Sequence, residues 1–290
     1  MKRILMAALA LTLLPIVADA GRFDEAKKQA EASMGLTGSI IVGPDGDVRE
    51  YSIDKQDKVS DAVLGFLKSS VAQWKFEPML VDGKPVATKS RMYLNLIAKV
   101  HETGGYEVRV GGVSFSPYFD ADSRKEEKKW AEQRLKDMPP PRYPGGAARA
   151  GAQGTAYLIL KLNPDGTVQD AYAEKVNLGF VSNEKTMETA RKVFADVSIQ
   201  AAMKWKLPTE DLDKEDMQVR VPVDFCLDRN CDGRYGQWRA YMPGPTRRAP
   251  WRTREEALGF SPDALPATGG VFPAGETGGL KLRTLGQAGS

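Results

Sequence analysis

Two stretches of the chain carry the same succession of apolar and polar positions. In the first, Thr37 to Val42 is apolar and β-branched, Pro44-Asp45-Gly46 has turn chemistry, and Val48, Tyr51 and Ile53 alternate after it. Val59, Ala62, Val63, Phe66, Leu67 and Val71 then fall at helical spacing, with Asp57 or Ser60 placed to cap. Trp74-Lys75-Phe76-Glu77-Pro78 ends the helix, since proline cannot continue it. Asp82-Gly83 makes a turn, and Met92, Leu94 and Leu96 alternate within a closing strand over Ser90 to Val100.

The same order returns further on. Gly154 to Leu162 reads as a strand with Ala156, Leu158, Leu160 and Leu162 on one face, and Asn163-Pro164-Asp165-Gly166 as its turn. Val168 to Val176 returns as a strand. A helix runs through Met187, Ala190, Val193 and Phe194 toward Ala202, and Trp205-Lys206-Leu207-Pro208 stops it. Val219, Val221, Val223 and Phe225 form the last strand. The turn-to-tryptophan distance is 28 residues in the first stretch and 39 in the second, so an insertion near the helix reconciles them. An internal duplication of a β-β-α-β unit is the economical reading.

The expected fold class is therefore α+β, with two β-β-α-β units, each a small antiparallel sheet packed on one helix. Around them, residues 21–35 read as a short helix, with Ala26, Ala30 and Met34 four apart. The first unit is expected over 36–118, with a further strand from Tyr106 to Val110. A linking helix is expected over 119–138 and the second domain over 139–235. The tail over 236–290, rich in Pro, Gly, Ala and Thr, is expected to be flexible.

The first twenty residues follow another logic. Lys2 and Arg3 precede an apolar run from Ile4 to Ala18, and Ala18-Asp19-Ala20 ends it with small residues. This is the pattern of a secretory signal, and cleavage would release the chain into the periplasm. An uncleaved anchor in the inner membrane is the alternative. An oxidising compartment makes a disulfide between Cys226 and Cys231 the default reading of the chain's two cysteines.

Among 290 residues, 41 basic and 38 acidic side chains leave a formal charge of only +3, which argues against a nucleic-acid binder. One histidine, His101, with no nucleophile elbow nearby, argues against hydrolytic catalysis, and no phosphate loop is present. The chain reads as a non-enzyme without cofactor or metal. Asp228 to Gly233 begins like a calcium loop, but Arg239 stands where a bidentate glutamate is needed. Trp74 and Trp205 read as core residues filling the gap between helix and sheet. Arg247 to Arg254 interleaves Trp251 with four arginines, a composition suited to anionic lipid or cell wall, although such segments are more often solvated.

Over residues 139–228 the second stretch resembles the C-terminal domain family of the energy transducer TonB. The resemblance lies in Tyr143-Pro144 ahead of the first strand, the small residues to Gly151 and Gly154, Pro164-Asp165-Gly166, Trp205, and the closing Val221 to Phe225. The first stretch is similar without a Tyr-Pro motif, and its Trp74-Lys75-Phe76-Glu77-Pro78 is closer to the family's Trp-x-Tyr/Phe-x-Pro. Two departures separate fold from energy transduction. The family's leading glutamine is replaced within Pro140-Pro141-Arg142-Tyr143-Pro144, and its membrane anchor and long Pro-rich spacer are not read in this sequence. The resemblance implies binding of partner protein segments, such as those of TonB-dependent receptors or TonB-system components, along the edge strand of Val219, Val221, Val223 and Phe225. The alternative is a structural or cell-wall protein that self-associates as a homo-oligomer through the same fold.

Overall fold

The structure is a computed structural model, and it describes residues 29–100, 106–117, 137–209, 212–214, 216–227, 231, 235–253, 255–267, 270–274 and 280–285. The expectations for the leader, for residues 21–28, for most of the linking helix, for His101 and for most of Asp228 to Gly233 lie outside the described residues.

The first unit begins with β1 (Glu31–Val42), which turns into β2 (Val48–Ile53). Helix α1 (Asp61–Val71) follows, and its buried Val63, Leu67, Ser70 and Val71 lie on one stripe against the sheet. After the short β3 (Lys75–Phe76) come a hairpin of β4 (Met79–Val81) and β5 (Lys84–Val86), then β6 (Thr88–Val100) and β7 (Tyr106–Pro117). The sheet order is β2-β1-β6-β7, all antiparallel. The first strand starts earlier than the sequence pattern predicts: Glu31–Gly35, expected as helix, open β1. Alternate burial runs unbroken through Met34, Leu36, Gly38, Ile40 and Val42, and this period of two overrides the helical spacing of Ala30 and Met34.

The second unit carries the short helix α2 (Gly145–Arg149), β8 (Gly154–Leu162), β9 (Val168–Leu178), α3 (Glu184–Ala202) and β10 (Gln218–Phe225). Asn183 caps α3 by accepting a bond from the Thr186 N–H. Phe194, Met187 and Ala202 of α3 meet Leu158, Leu160, Val219, Val221, Val223 and Phe225 in one core, while Trp74, Leu67 and Leu94 centre the other. The fold is α+β.

The two turns share their bonding. Gly46 N–H donates to Gly43 O and Gly166 N–H to Asn163 O, both at 2.9 Å. Phe76 N–H then reaches Gly46 O, and Leu207 N–H reaches Gly166 O, both at 2.9 Å. Each glycine has φ of +84°, and a Cβ there would come within 2.2 Å of Phe76 O or 2.0 Å of Leu207 O. Turn and tryptophan region are thus locked together in the same way in both units. Trp74 and Trp205 are core residues, 0% and 3% exposed.

The described part of the tail is packed, against the expectation of flexibility. Strand β11 (Arg239–Tyr241) pairs with Glu31 to Ser33 of the first sheet, and the next residue, Met242, pairs with Leu178 of the second. Arg247 N–H donates to Glu174 O, and Gly244 N–H to Asn177 Oδ1. The 3-10 turn Pro262–Ala264 lies against β6, β7 and β9. Strands β12 (Phe272–Pro273) and β13 (Leu282–Thr284) close on β10 and β3. The tail shows no helical or strand period because its anchors are strands of two or three residues and single contacts on an irregular strap.

Candidate functional site

The sheet of the second unit has the order β12-β10-β8-β9, so β10 is its last full-length strand. Val219, Val221, Val223 and Phe225, expected along a partner-binding edge, turn their side chains into the core and are 0%, 4%, 8% and 3% exposed. Their main-chain groups do not face the outer edge. Leu162 N–H donates to Met217 O at 2.8 Å, and antiparallel alternation carries the inward direction to every odd-numbered residue of β10. Ala274 N–H donates to Gln218 O at 2.8 Å on the other side. The outer edge is therefore written by Gln218, Arg220, Pro222 and Asp224.

That edge is guarded. Proline at 222 brings no N–H to it, as is usual where a strand is kept from pairing freely. Upstream, β12 pairs Pro273 with Val219 and Phe272 with Arg220. Downstream, Cys226 and Cys231 are joined in a disulfide just past the strand's end. The corresponding strand of the first unit, β6, is covered by β7 along its length, from Ser90 opposite Pro117 to Val100 opposite Tyr106.

On the outer face of the sheet, the tail builds a buried ion network. Arg220 Nε and Nη2 donate to the two carboxylate oxygens of Glu174 at 2.6 and 3.0 Å, and Nη2 also reaches Glu256 Oε1 at 2.7 Å. Arg252 Nε donates to the same Glu256 oxygen at 2.8 Å, and its Nη2 donates to Ala274 O at 2.7 Å. Asp216 Oδ2 stands 3.8 Å from Arg252 Nη1. The Arg220 guanidinium lies over the Phe260 ring, 4.3 Å from its centroid. Burial opposes its charge, but Glu174 and Glu256 outweigh burial and hold its pKa above the usual value. Burial likewise raises Glu256, yet Arg220 and Arg252 prevail and lower it. Lys175 Nζ pairs with buried Asp263 at 2.7 Å. Arg252, expected in a basic stretch facing an anionic surface, is instead buried within this network, where the carboxylates of Glu256 and Asp216 compensate it. Arg247 and Arg248 of the same stretch are exposed.

Tyr143 and Pro144 take structural places. The Tyr143 hydroxyl donates to Ala152 O at 2.6 Å, and its ring meets Phe225 and Phe194 edge-on at 5.5 and 6.3 Å. Pro144 precedes α2 as its N-cap in extended conformation. Trp205 Nε1 donates to Pro139 O at 2.9 Å, so the Pro-rich segment ahead of Tyr143 closes over the tryptophan. Trp74 Nε1 is buried with no hydrogen-bond partner among the described residues.

The residues missed by the sequence reading are Glu174, Arg220, Glu256 and Phe272, and Arg252 is read there with the wrong role. A signal for them existed in β8: Tyr157-Leu158-Ile159-Leu160 is apolar on both faces, which requires a cover on the outer one. Ile159 is fully buried against Ala249 and Ala274 of the tail. Among the described residues, no group of three or more His, Cys, Asp or Glu is arranged to hold a metal ion. No described helix is long and apolar enough to cross a membrane, which leaves strand-built membrane proteins unaddressed.

The chain is 35% identical over 94 residues to the protein named Protein TonB from two strains of Xanthomonas campestris pv. campestris, B100 and ATCC 33913. The match covers 32% of this chain, and the chain spans about 37% of the length of these curated relatives. No protein-family model and no solved structure matches it. The chain carries a TonB C-terminal-like domain.

Proposed function

We propose that this is an exported, non-catalytic protein of the bacterial envelope that binds partner protein segments by strand addition at the outer edge of β10. The observation that carries the reading is the asymmetry of cover among the described residues: β12 and Ala274 pair Gln218, Val219 and Arg220 of β10, whereas β7 covers β6 from Ser90 to Val100. An extended segment pairs with such an edge through main-chain bonds. Similarity to Protein TonB supports a role in TonB-linked transport, with periplasm-facing segments of outer-membrane receptors as the partner class. The matched turns at Gly46 and Gly166 support reading the first unit as a divergent second copy of the domain, its edge closed by β7. The signal-like residues 1–20 support a periplasmic location after cleavage.

The test is photo-crosslinking in intact cells. A photoreactive residue replaces Leu227, 43% exposed at the end of β10, or Met203, 44% exposed after α3, as the control. Cross-links to an outer-membrane receptor from 227 and not from 203 are expected. Cross-links between two copies of this chain would replace transport by self-association, and the same products from both positions would sink the edge.

A further inference from the structure

The covering strand β12 comes from the chain itself, and what holds it is small. Phe272 and Pro273 are its only residues. Ala274 N–H bonds Gln218 O at 2.8 Å, and Arg252 Nη2 holds the Ala274 carbonyl at 2.7 Å. Phe272 rests its ring edge-on against Tyr93 of the first unit, 5.3 Å between centroids. Upstream, a Cβ on Gly270 would fall 2.4 Å from the Phe272 ring, so the ring lies close over a residue without a side chain.

Resting on the edge-binding reading above, we propose that β12 is an internal ligand of β10, and that a partner segment binds by displacing it. The internal ligand defines what the edge accepts. Phe272 lies opposite Arg220, in the hydrogen-bonded register, with its ring on Tyr93. Pro273 lies opposite Val219, whose main-chain groups face β8; the residue at this place turns its own N–H away from β10, so proline is tolerated there. Ala274 follows where Arg252 and Arg220 reach over its carbonyl at 2.7 and 3.4 Å. The partner class is therefore an extended peptide with an aromatic residue, then a residue needing no inward N–H, then a small residue whose carbonyl accepts from two arginines. The edge of β6 offers no comparable exchange, because displacing β7 would undo pairing from Ser90 to Val100.

The experiment uses the full chain, with Phe272→Ala and, as a second opening variant, Glu256→Gln, which loosens Arg252. Residue-resolved amide exchange reads the latch without any partner. The Arg220 amide is expected to exchange about tenfold faster in both variants, while Val219 and Val221, bonded to β8, keep their rates. A synthetic peptide spanning residues 270–276 is the binding probe, and it is expected to bind the Phe272→Ala chain about tenfold more tightly than the unaltered chain. Unchanged Arg220 exchange in both variants would overturn the internal-ligand proposal, leaving edge binding to be judged by crosslinking. Faster Arg220 exchange with no peptide binding to either chain would overturn the edge-binding reading and the inference with it.

Discussion

Phe272 of the tail meets Tyr93 of the first sheet edge to face, with ring centroids 5.3 Å apart and planes at 80°. One aromatic contact thus ties the strand that caps β10 to the other unit. Replacing Tyr93 by alanine is expected to weaken the cap without touching either β10 or the tail. Such ring pairs contribute about 0.5–1.5 kcal/mol beyond their area. Exchange at the Phe272 amide should rise while the first unit keeps its secondary structure by circular dichroism.

The glycines of the two turns should respond alike. Gly46→Ala and Gly166→Ala place a Cβ against a carbonyl oxygen at positive φ, and each is expected to destabilise its unit by about 1–3 kcal/mol or more. Gly83, at φ of +73° in the β4–β5 hairpin, has nothing within 4 Å of the place a methyl would take, so Gly83→Ala is expected to cost only about 1 kcal/mol. Denaturant unfolding of the three variants decides, and equal losses would contradict the lock between turn and tryptophan.

The two core tryptophans should differ. Trp205→Phe removes the bond to Pro139 O and leaves that carbonyl without its donor, whereas Trp74→Phe removes an indole N–H that had no partner among the described residues. With similar volume lost in both, Trp205→Phe is expected to be more destabilising by about 1 kcal/mol. A larger loss for Trp74→Phe in urea titrations would refute the assignment.

Acid should loosen the tail. Glu256 faces Arg220 and Arg252, which also pair with Glu174 and Asp216, and these arginines lower its folded pKa below the ordinary 4.5. A depressed folded pKa means the stabilisation is complete above the unfolded value and disappears as pH falls through the folded one. The protection of the Arg252 and Ala274 amides, taken relative to their intrinsic exchange rates at each pH, should therefore fall below about pH 4.5, and in Glu256→Gln it should already be lower at neutral pH with a smaller further loss in acid. An acid response of the same size in that variant would assign the effect to another group.

Much of this architecture was legible in the residues. The alternation of Leu158 and Leu160, the spacing of Val63 and Leu67, and the two Pro-Asp-Gly turns depend on local periods that the chain states directly. Residues 31–35 are ambiguous by pattern, because Ala30 and Met34 satisfy a helical spacing while Met34 and Leu36 satisfy a strand, and only sheet pairing decides between them. The direction of the β10 main chain depends on a register parity that side-chain pattern cannot reveal: the residues that looked like the site face inward, and their even-numbered neighbours form the edge. The strap was invisible for a third reason. Arg252 reads as part of a solvated basic stretch until Arg220 and Glu174, far off in sequence, are brought beneath it with Glu256 between the two arginines.

Edge binding is open to a direct test, an amide-resolved titration of the full chain with a synthetic peptide from the periplasm-facing segment of an outer-membrane receptor. Strand addition predicts saturable shifts along Gln218 to Phe225, with protection at Phe272 lost as the peptide takes its place. Saturable binding that leaves β10 and Phe272 unchanged would contradict it.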